Sequence, residues 1–407
     1  MKSLRHRLLF WPVLFSSVFF LTATAHAASI IEGLTTITGT AERMISYRHQ
    51  ERFVFTDDGS QHLLVNLGNR DSENQAALAL MVKESGDLGW KETIDLECSD
   101  HESTADLLIH DNYLHIVHSC GKELWYSRLT YDPHLFTWWN LKKRRIFKSF
   151  TQTPSAPTLA VDNDQTFHVA FTLTGRTNKV QLTGLSSEKP LRSWDDAGVW
   201  GSKNRRPAKA GRLLNLDTGI ALIYTDVSSG DDSQSTLNFT RATSGGNWTV
   251  PVVLEATPAG FHDPYGSHYS ASVDEQGNIH LIWPVDKHLK YYRYDATTEQ
   301  WNSSFVLENP HNAVYSQVSL HTDGRVFLIF NIGEQLQVIE SDDYGLTYTS
   351  TVILIHPLLG EGYDWAQPRV ETPAIFSDRL PVLQQLSTVP TAELGSVERL
   401  YLFSVAP

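Results

Sequence analysis

The stretch His268–Trp301, HYSASVDEQGNIHLIWPVDKHLKYYRYDATTEQW, predicts a repeated β unit. Turn-forming residues separate its strands, because Asp, Asn and Gly tolerate a positive φ or hydrogen-bond to their own backbone. The unit ends on an aromatic, Trp301. The predicted strands are Tyr269–Val273, Ile279–Trp283 and Leu289–Tyr294.

The same unit recurs along most of the chain. Copies of its central strand begin 53, 53, 53, 59, 47 and 54 residues apart. They are His62–Leu67, His115–Ser119, His168–Thr172, Ala221–Thr225, His280–Pro284, Phe327–Asn331 and Pro381–Gln385. An aromatic closes six of the seven units, namely Trp90, Trp138, Trp194, Trp248, Trp301 and Tyr348. Units of about 40–50 residues with four short strands are typical of β-propellers.

The repeat therefore predicts an all-β fold, a single β-propeller with seven blades. A six-bladed ring with one irregular unit is the alternative. The last unit shows three strands and no closing Trp, so we expect an N-terminal strand near Leu34–Ile37 to complete it and remove an open sheet edge. The Ala/Leu-rich run Asp71–Lys83 has a helix-like composition, but the repeat predicts a strand at Ala77–Lys83. We expect the closing aromatics to fill the space between blades.

The N-terminus has the layout of a secretory signal peptide. Three basic residues precede the apolar run 8–21, and the small-residue segment Ala25–Ala27 follows. The run is shorter than the roughly 20 residues that span a bilayer. We expect residues 1–27 to be removed near Ala27, leaving a β-propeller domain at 28–407, secreted or periplasmic.

Charge and cysteine content narrow the classes of partner. The 407-residue chain carries a net charge of −13, and loss of the three N-terminal basic residues would take it to −16. Nucleic acid is therefore not an expected partner, and the protein is expected to be a monomer.

The two cysteines, Cys98 and Cys120, predict a structural disulfide worth roughly 3 kcal/mol in an exported protein. No metal site or cofactor is predicted, with a structural calcium ion left open.

The segment Ser341–Tyr348, SDDYGLTY, resembles the Asp-box (BNR repeat) of the sialidase-like propellers. That motif reads Ser-x-Asp-x-Gly-x-Thr-aromatic, and a shortened version occupies Ser85–Trp90. The resemblance implies a folding role for the matching residues, Ser341, Asp343, Gly345, Thr347 and Tyr348. It also implies a carbohydrate-related activity, since the superfamily includes sialidases, other glycosidases, polysaccharide lyases and lectins. The early Arg-Ile-Pro segment of sialidases is absent, and Arg205-Arg206-Pro207 comes too late in the chain, which argues against a true sialidase.

Candidate site residues lie at or before the start of each innermost strand, where propellers usually bind ligands. Those positions are rich in His, Tyr and Arg. The catalytic candidates are His101, Arg206, Tyr265, His268 and Tyr315. The substrate-binding candidates are Arg205, His311, Asp364, Trp365 and Arg369. By contrast, His62, His115, His168 and His280 share one repeat position and are expected to be sheet residues rather than ligands.

This mixture of side chains suits attack on an acidic sugar. A cation neutralises the uronate carboxylate, a His or Tyr removes the neighbouring proton, and a Tyr protonates the leaving oxygen. The leading hypothesis is an exported enzyme, a polysaccharide lyase or glycoside hydrolase, that cleaves an extracellular glycan at the central funnel. The alternative is a propeller that binds a polysaccharide, glycoconjugate or protein without cleaving it.

Overall fold

The computed structural model describes most of the chain from Thr35 to Val405. The described ranges are 35–39, 44–45, 49–69, 76–87, 89–96, 98, 104–132, 137–175, 180–200, 208–227, 234–243, 247–257, 268–285, 288–308, 315–332, 335–349, 352–354, 363–388 and 398–405. The predicted signal peptide, residues 1–27, lies outside them. Within these ranges, no helix is long and apolar enough to cross a membrane.

The described residues form 29 strands in seven sheets. The first half contains β1 (Thr35–Gly39), β2 (Phe53–Phe55), β3 (Gln61–Asn69), β4 (Ala76–Lys83), β5 (Lys91–Asp95), β6 (Ala105–His110), β7 (Tyr113–Cys120), β8 (Glu123–Asp132), β9 (Thr137–Lys148), β10 (Gln152–Val161), β11 (Phe167–Gly175), β12 (Val180–Ser187), β13 (Asp195–Trp200) and β14 (Ala208–Leu216). The second half contains β15 (Gly219–Val227), β16 (Ser235–Thr243), β17 (Val252–Ala256), β18 (Ser270–Val273), β19 (Ile279–Val285), β20 (His288–Asp295), β21 (Gln300–Glu308), β22 (Ser316–His321), β23 (Val326–Ile332), β24 (Gln335–Ser341), β25 (Val352–Leu354), β26 (Tyr363–Glu371), β27 (Ile375–Phe376), β28 (Leu380–Thr388) and β29 (Glu398–Val405).

Six blades are formed by consecutive strands. Blades 1 to 6 begin with the inner strands β2, β6, β10, β14, β18 and β22 and end with the outer strands β5, β9, β13, β17, β21 and β25. Blade 7 has the order β26, β28, β29, β1, so the N-terminal strand closes the ring by pairing with the C-terminal one. The seven-blade prediction and the closing strand are confirmed, and the six-bladed alternative is wrong. The short strand β27 joins blade 6 in parallel with β22.

Each pair of neighbouring blades shares a hydrophobic cluster, including blades 7 and 1. Each closing aromatic packs into the cluster shared with the preceding blade, as Trp301 of blade 5 does against Phe239 of blade 4. The expected role of these aromatics is confirmed. The strand predicted at Ala77–Lys83 is also confirmed, because β4 pairs along β3.

The predicted disulfide joins Cys98 to Cys120, with the two Cα atoms 5.6 Å apart. Cys98 precedes blade 2, and Cys120 ends its second strand. The bond therefore ties the connection between blades 1 and 2 to the body of blade 2.

Candidate functional site

The inner strands surround a central channel. We call the end at which these strands begin the upper mouth and the end at which they finish the lower mouth. A cavity of about 900 Å³ occupies the lower part and is lined by residues from blades 1 to 6 and from the connection between β26 and β28. Its floor includes Glu51 and Arg212, and its rim is formed by turns that carry Asp57, Asp162 and Asp217.

In each blade one polar residue, on the inner strand or directly before it, occupies the same register position, and we call these seven residues the axial ring. Their partners on the second strands are equivalent from blade to blade. None is more than 8% exposed. The axial ring consists of Arg52, Asp106, Thr158, Arg212, Ser270, Gln317 and Glu371.

Ring residues bind the backbone of the next blade. Asp106 Oδ2 accepts a hydrogen bond from Leu159 N at 2.7 Å, and Thr158 Oγ1 accepts one from Leu213 N at 3.1 Å. Ser270 Oγ likewise accepts one from Val318 N at 3.2 Å. An inner strand has no neighbouring strand on its axial side, so its buried N–H groups need such acceptors. These contacts hold adjacent blades in register.

Arg212 departs from this pattern because it reaches across the channel. Its guanidinium lies 3.0 Å from Asp106 Oδ1 and 3.4 Å from Glu51 Oε2. Burial raises the pKa of Glu51 to about 7, with Arg212 opposing the shift and Asp106 adding to it. Burial also raises the pKa of Asp106, although Arg212 and two backbone amides favour its ionised form. Arg212 is thus held between two acids on the floor of the cavity.

Two pairs of aromatic rings lie where the inner strands begin. His268 and Tyr315, from neighbouring blades, stack with ring centroids 6.0 Å apart. His49 stacks on Tyr269 at 5.7 Å. Tyr269 is fully buried, and its hydroxyl contacts the carbonyl oxygens of Ala210 and Ile223, so it serves the packing. His268 and Tyr315 are therefore the two predicted catalytic residues that the structure describes, and it brings them together.

Of the other predicted site residues, the structure describes the side chain of Arg369 alone. His101, Arg205, Arg206, Tyr265 and His311 lie outside the described residues. Asp364 and Trp365 belong to β26, but their side chains are outside the described part. Arg369 pairs with Gln385 on the same sheet. The roles assigned to these residues remain predictions.

The repeated histidines are built into the blades, as the sequence predicts. His280 Nδ1 lies 2.6 Å from the Tyr291 hydroxyl, and its Nε2 lies 2.9 Å from Asp274 Oδ2. His115 makes the equivalent 2.6 Å contact with Tyr126. Burial lowers the pKa of His62 to about 4. Among the described residues, no group of three His, Cys, Asp or Glu side chains is arranged to hold a metal ion.

Sequence reasoning missed Glu51 and Asp106. Asp106 stands inside the apolar run Ala105–Leu108. An acidic residue is unusual in such a strand, and its presence could have indicated a buried, paired carboxylate. The partners of Arg212, Asp106 and Glu51, lie 106 and 161 residues away in sequence. Spacing alone does not reveal contacts across a channel.

No protein-family model matches the chain, and a search of curated proteins finds no similar sequence. Solved structures do share its fold. The polysaccharide lyase Uly1 aligns over 93% of this chain and 99% of its own, with 12% identity and a TM-score of 0.53. The ulvan lyase of polysaccharide lyase family 25 aligns over 92% and 96%, with 10% identity and a TM-score of 0.57. An α-L-arabinanase from Penicillium chrysogenum aligns over 80% and 98%, with 10% identity and a TM-score of 0.51.

At these identities the likeness shows the fold. The chain is a seven-bladed β-propeller that carries a His–Tyr pair where its inner strands begin and a polar cross-link within its channel.

Proposed function

We propose that this protein is a carbohydrate-active enzyme that cleaves glycosidic bonds of an extracellular, uronate-containing glycan at the upper mouth. The observation that carries the proposal is the stacked pair His268–Tyr315, which places a base and a hydroxyl donor just before the inner strands of two neighbouring blades. The fold supports it, because the similar structures described above are named as lyases and an arabinanase. One solved ulvan lyase is bound to -[GlcA(1-4)Rha3S]-, an acidic glycan, and has a TM-score of 0.54.

The proposed reaction is a β-elimination. A cation, for which Arg206 is the candidate, neutralises the uronate carboxylate and so acidifies the adjacent C–H. His268 or Tyr265 removes that proton, and the electron pair forms a C=C bond as the C–O bond to the leaving sugar breaks. Tyr315 donates its proton to the leaving oxygen. The products are an unsaturated uronate and a new reducing end.

The test is product analysis on the purified protein with acidic and neutral polysaccharides and sialosides. Absorbance from unsaturated uronates together with new reducing ends would establish a lyase. New ends alone would indicate a hydrolase and direct attention to two carboxylates, Asp364 and Glu102, the second of which follows the candidate His101 in the sequence. We expect His268→Gln and Tyr315→Phe each to lower the turnover by about 10²-fold or more. His110→Gln is the matched control, because His110 lines the lower cavity. If no substrate in the panel is cleaved, the alternative of a binding propeller replaces this proposal.

We also propose that the protein is exported and that its closing turn in blade 6 is an Asp-box. Export rests on the signal-like N-terminus and accords with the disulfide, and N-terminal sequencing of the extracellular protein tests it by showing whether residues 1–27 are gone. The Asp-box assignment is supported by Asp343, whose Oδ1 accepts hydrogen bonds from Leu346 N at 3.0 Å and Thr347 N at 2.7 Å. Gly345 has φ +78°, and a Cβ there would collide with the Tyr291 hydroxyl. Kinship with the sialidase-like propellers is part of this proposal.

A further inference from the structure

The outer strand of blade 2, β9, differs in charge from every other outer strand. It carries Lys142, Lys143, Arg144, Arg145 and Lys148 and no acid. The other six outer strands, β1, β5, β13, β17, β21 and β25, carry one basic residue between them, Lys91. Lysines often protect exposed sheet edges from aggregation. Among the other outer strands, however, only β5 carries one, Lys91. The cluster on β9 therefore calls for another explanation.

The cations of β9 fall on two faces of the blade. Residues directly opposite each other in an antiparallel pair share a face. Ser127, Trp125 and Glu123 pair with Lys143, Arg145 and Lys148, which places these three cations on the face toward blade 1. Their charges are used there: Lys143 Nζ donates to Leu96 O at 3.3 Å, and Glu123 Oε1 lies 3.0 Å from Arg145 and 3.1 Å from Lys148.

The opposite face carries cations that form no ion pair within the part of the chain that the structure describes. Arg128 pairs with Lys142, Tyr126 with Arg144, and Thr130 with both Trp139 and Tyr113. We call Tyr113, Arg128, Trp139, Lys142 and Arg144 the blade-2 outer face. Among the described residues, Lys142 and Arg144 make no ion pair or hydrogen bond through their side chains and are exposed.

Aromatic rings accompany these cations. The Arg128 guanidinium lies 4.4 Å from the centre of the Tyr113 ring, which holds it in place. Trp139 is 53% exposed, an unusual state for a large aromatic residue. The neighbouring blade places Trp194 against Tyr126. Among the described residues, Asp195 and Asp196, which follow Trp194, form no ion pair with this face. A row of cations beside an exposed indole suits a flexible anionic sugar chain, since the ring offers an apolar surface to a sugar.

We infer that the blade-2 outer face is a second binding site for an anionic polysaccharide, separate from the upper mouth. The inference rests on the proposed function for its choice of ligand class. From Trp139 to Arg144 the face extends about 15 Å, enough for more than one sugar of an extended chain. Nucleic acid fits less well, because its denser phosphates meet stronger repulsion from a chain of net charge −13.

The test compares two double charge reversals in the full chain. Lys142→Glu with Arg144→Glu changes the outer face, and Lys189→Glu with Arg192→Glu makes the same charge change at exposed residues of blade 3. With polygalacturonate at low salt, we expect the first variant to bind about tenfold more weakly and with a shallower salt dependence. The control should bind as the unaltered protein does. Trp139→Ala should also weaken binding, but without changing the salt dependence.

Each result bears on the inference. Equal binding by both charge variants would overturn it, as would tighter binding to duplex DNA or to anionic vesicles than to polygalacturonate. If charge reversal alters the thermal unfolding, Lys142→Gln with Arg144→Gln replaces it. Binding is also measured in His268→Gln, Tyr315→Phe protein, where the outer-face loss should persist. If no polysaccharide is cleaved but the blade-2 outer face binds polygalacturonate, the proposed function fails and this inference stands. If a polysaccharide is cleaved but the charge reversals on the outer face leave binding unchanged, the proposed function stands and this inference fails.

Discussion

Asp274 and Glu51 are both largely buried carboxylates on the wall of the lower cavity, yet their pKa values move in opposite directions. Burial opposes ionisation of Asp274, but hydrogen bonds from His280 and Asn278 outweigh it and lower the pKa. Its oxygens accept from Gln276 N at 2.9 Å and Asn278 N at 2.8 Å as well. Glu51 has fewer donors: its Oε1 has no hydrogen-bond partner among the described residues, and Arg212 is shared with Asp106.

The comparison separates two ways of using an acid inside a propeller. In the turn of blade 5, local N–H donors are arranged around one carboxylate, so its charge is stabilised within the blade. On the axis, two acids share one cation brought from another blade, so charge there depends on the closed ring. The two carboxylates are therefore expected to change the unfolding free energy with pH in opposite directions: the contribution of Glu51 is lost as the pH rises, and that of Asp274 is lost as the pH falls.

The largest effect should come from removing Asp106 of blade 2, whose carboxylate contacts residues of blades 1, 3 and 4. Asp106→Leu leaves Arg212 with a weaker partner and takes the acceptor from Leu159 N, so we expect a loss of about 3–5 kcal/mol in unfolding free energy. Asp106→Asn keeps one oxygen acceptor and should lose less. Urea unfolding of both variants measures the difference. Equal losses of unfolding free energy in the two variants would contradict this account, because they would show that the acceptor oxygen kept by Asn adds no stability at position 106.

A pH effect of about 3 kcal/mol is expected from Glu51. Since its pKa rises from 4.5 to about 7 on folding, its contribution to stability is fully present below about 4.5 and is lost as the pH rises through about 7. Glu51→Gln should flatten the stability profile across this range. Glu188→Gln, at an exposed site, is the control and should keep the slope. A slope that survives in Glu51→Gln would assign the titration to another group.

Asp274 should give a smaller effect of the opposite sign. We expect Asp274→Ala to cost about 1–2 kcal/mol at neutral pH, because two turn amides and His280 lose their acceptor. Since the folded pKa is lowered, the stability from Asp274 is present above 3.8 and is lost as the pH falls through its folded value. The gap between variant and unaltered protein should therefore narrow in acid. Asp274→Asn should keep the turn contacts and lose mainly the hydrogen bond to His280. If the difference in unfolding free energy between Asp274→Ala and the unaltered protein stays constant down to low pH, this account is contradicted.

The candidate site was only partly predictable from the sequence. His268 and Tyr315 were selected because each precedes an inner strand, and the ring does bring them together at 6.0 Å. The axial ring was not predicted, because Arg, Asp, Thr, Ser, Gln and Glu at its seven positions form no common motif. Those residues become equivalent only when each inner strand is aligned with its second strand.

The sequence by itself predicted the repeated β unit, the closing N-terminal strand, the disulfide and the packing role of the aromatics, and it favoured seven blades over six. It did so because strand periodicity, turn residues and hydrophobic spacing act over a few residues and repeat with each unit. Only the tertiary structure decided which side chains meet across the channel, and on which face of β9 the cations have no acidic partner among the described residues. Those outcomes depend on strand register, bulges and neighbouring blades, since a shift of one residue turns a side chain to the opposite face.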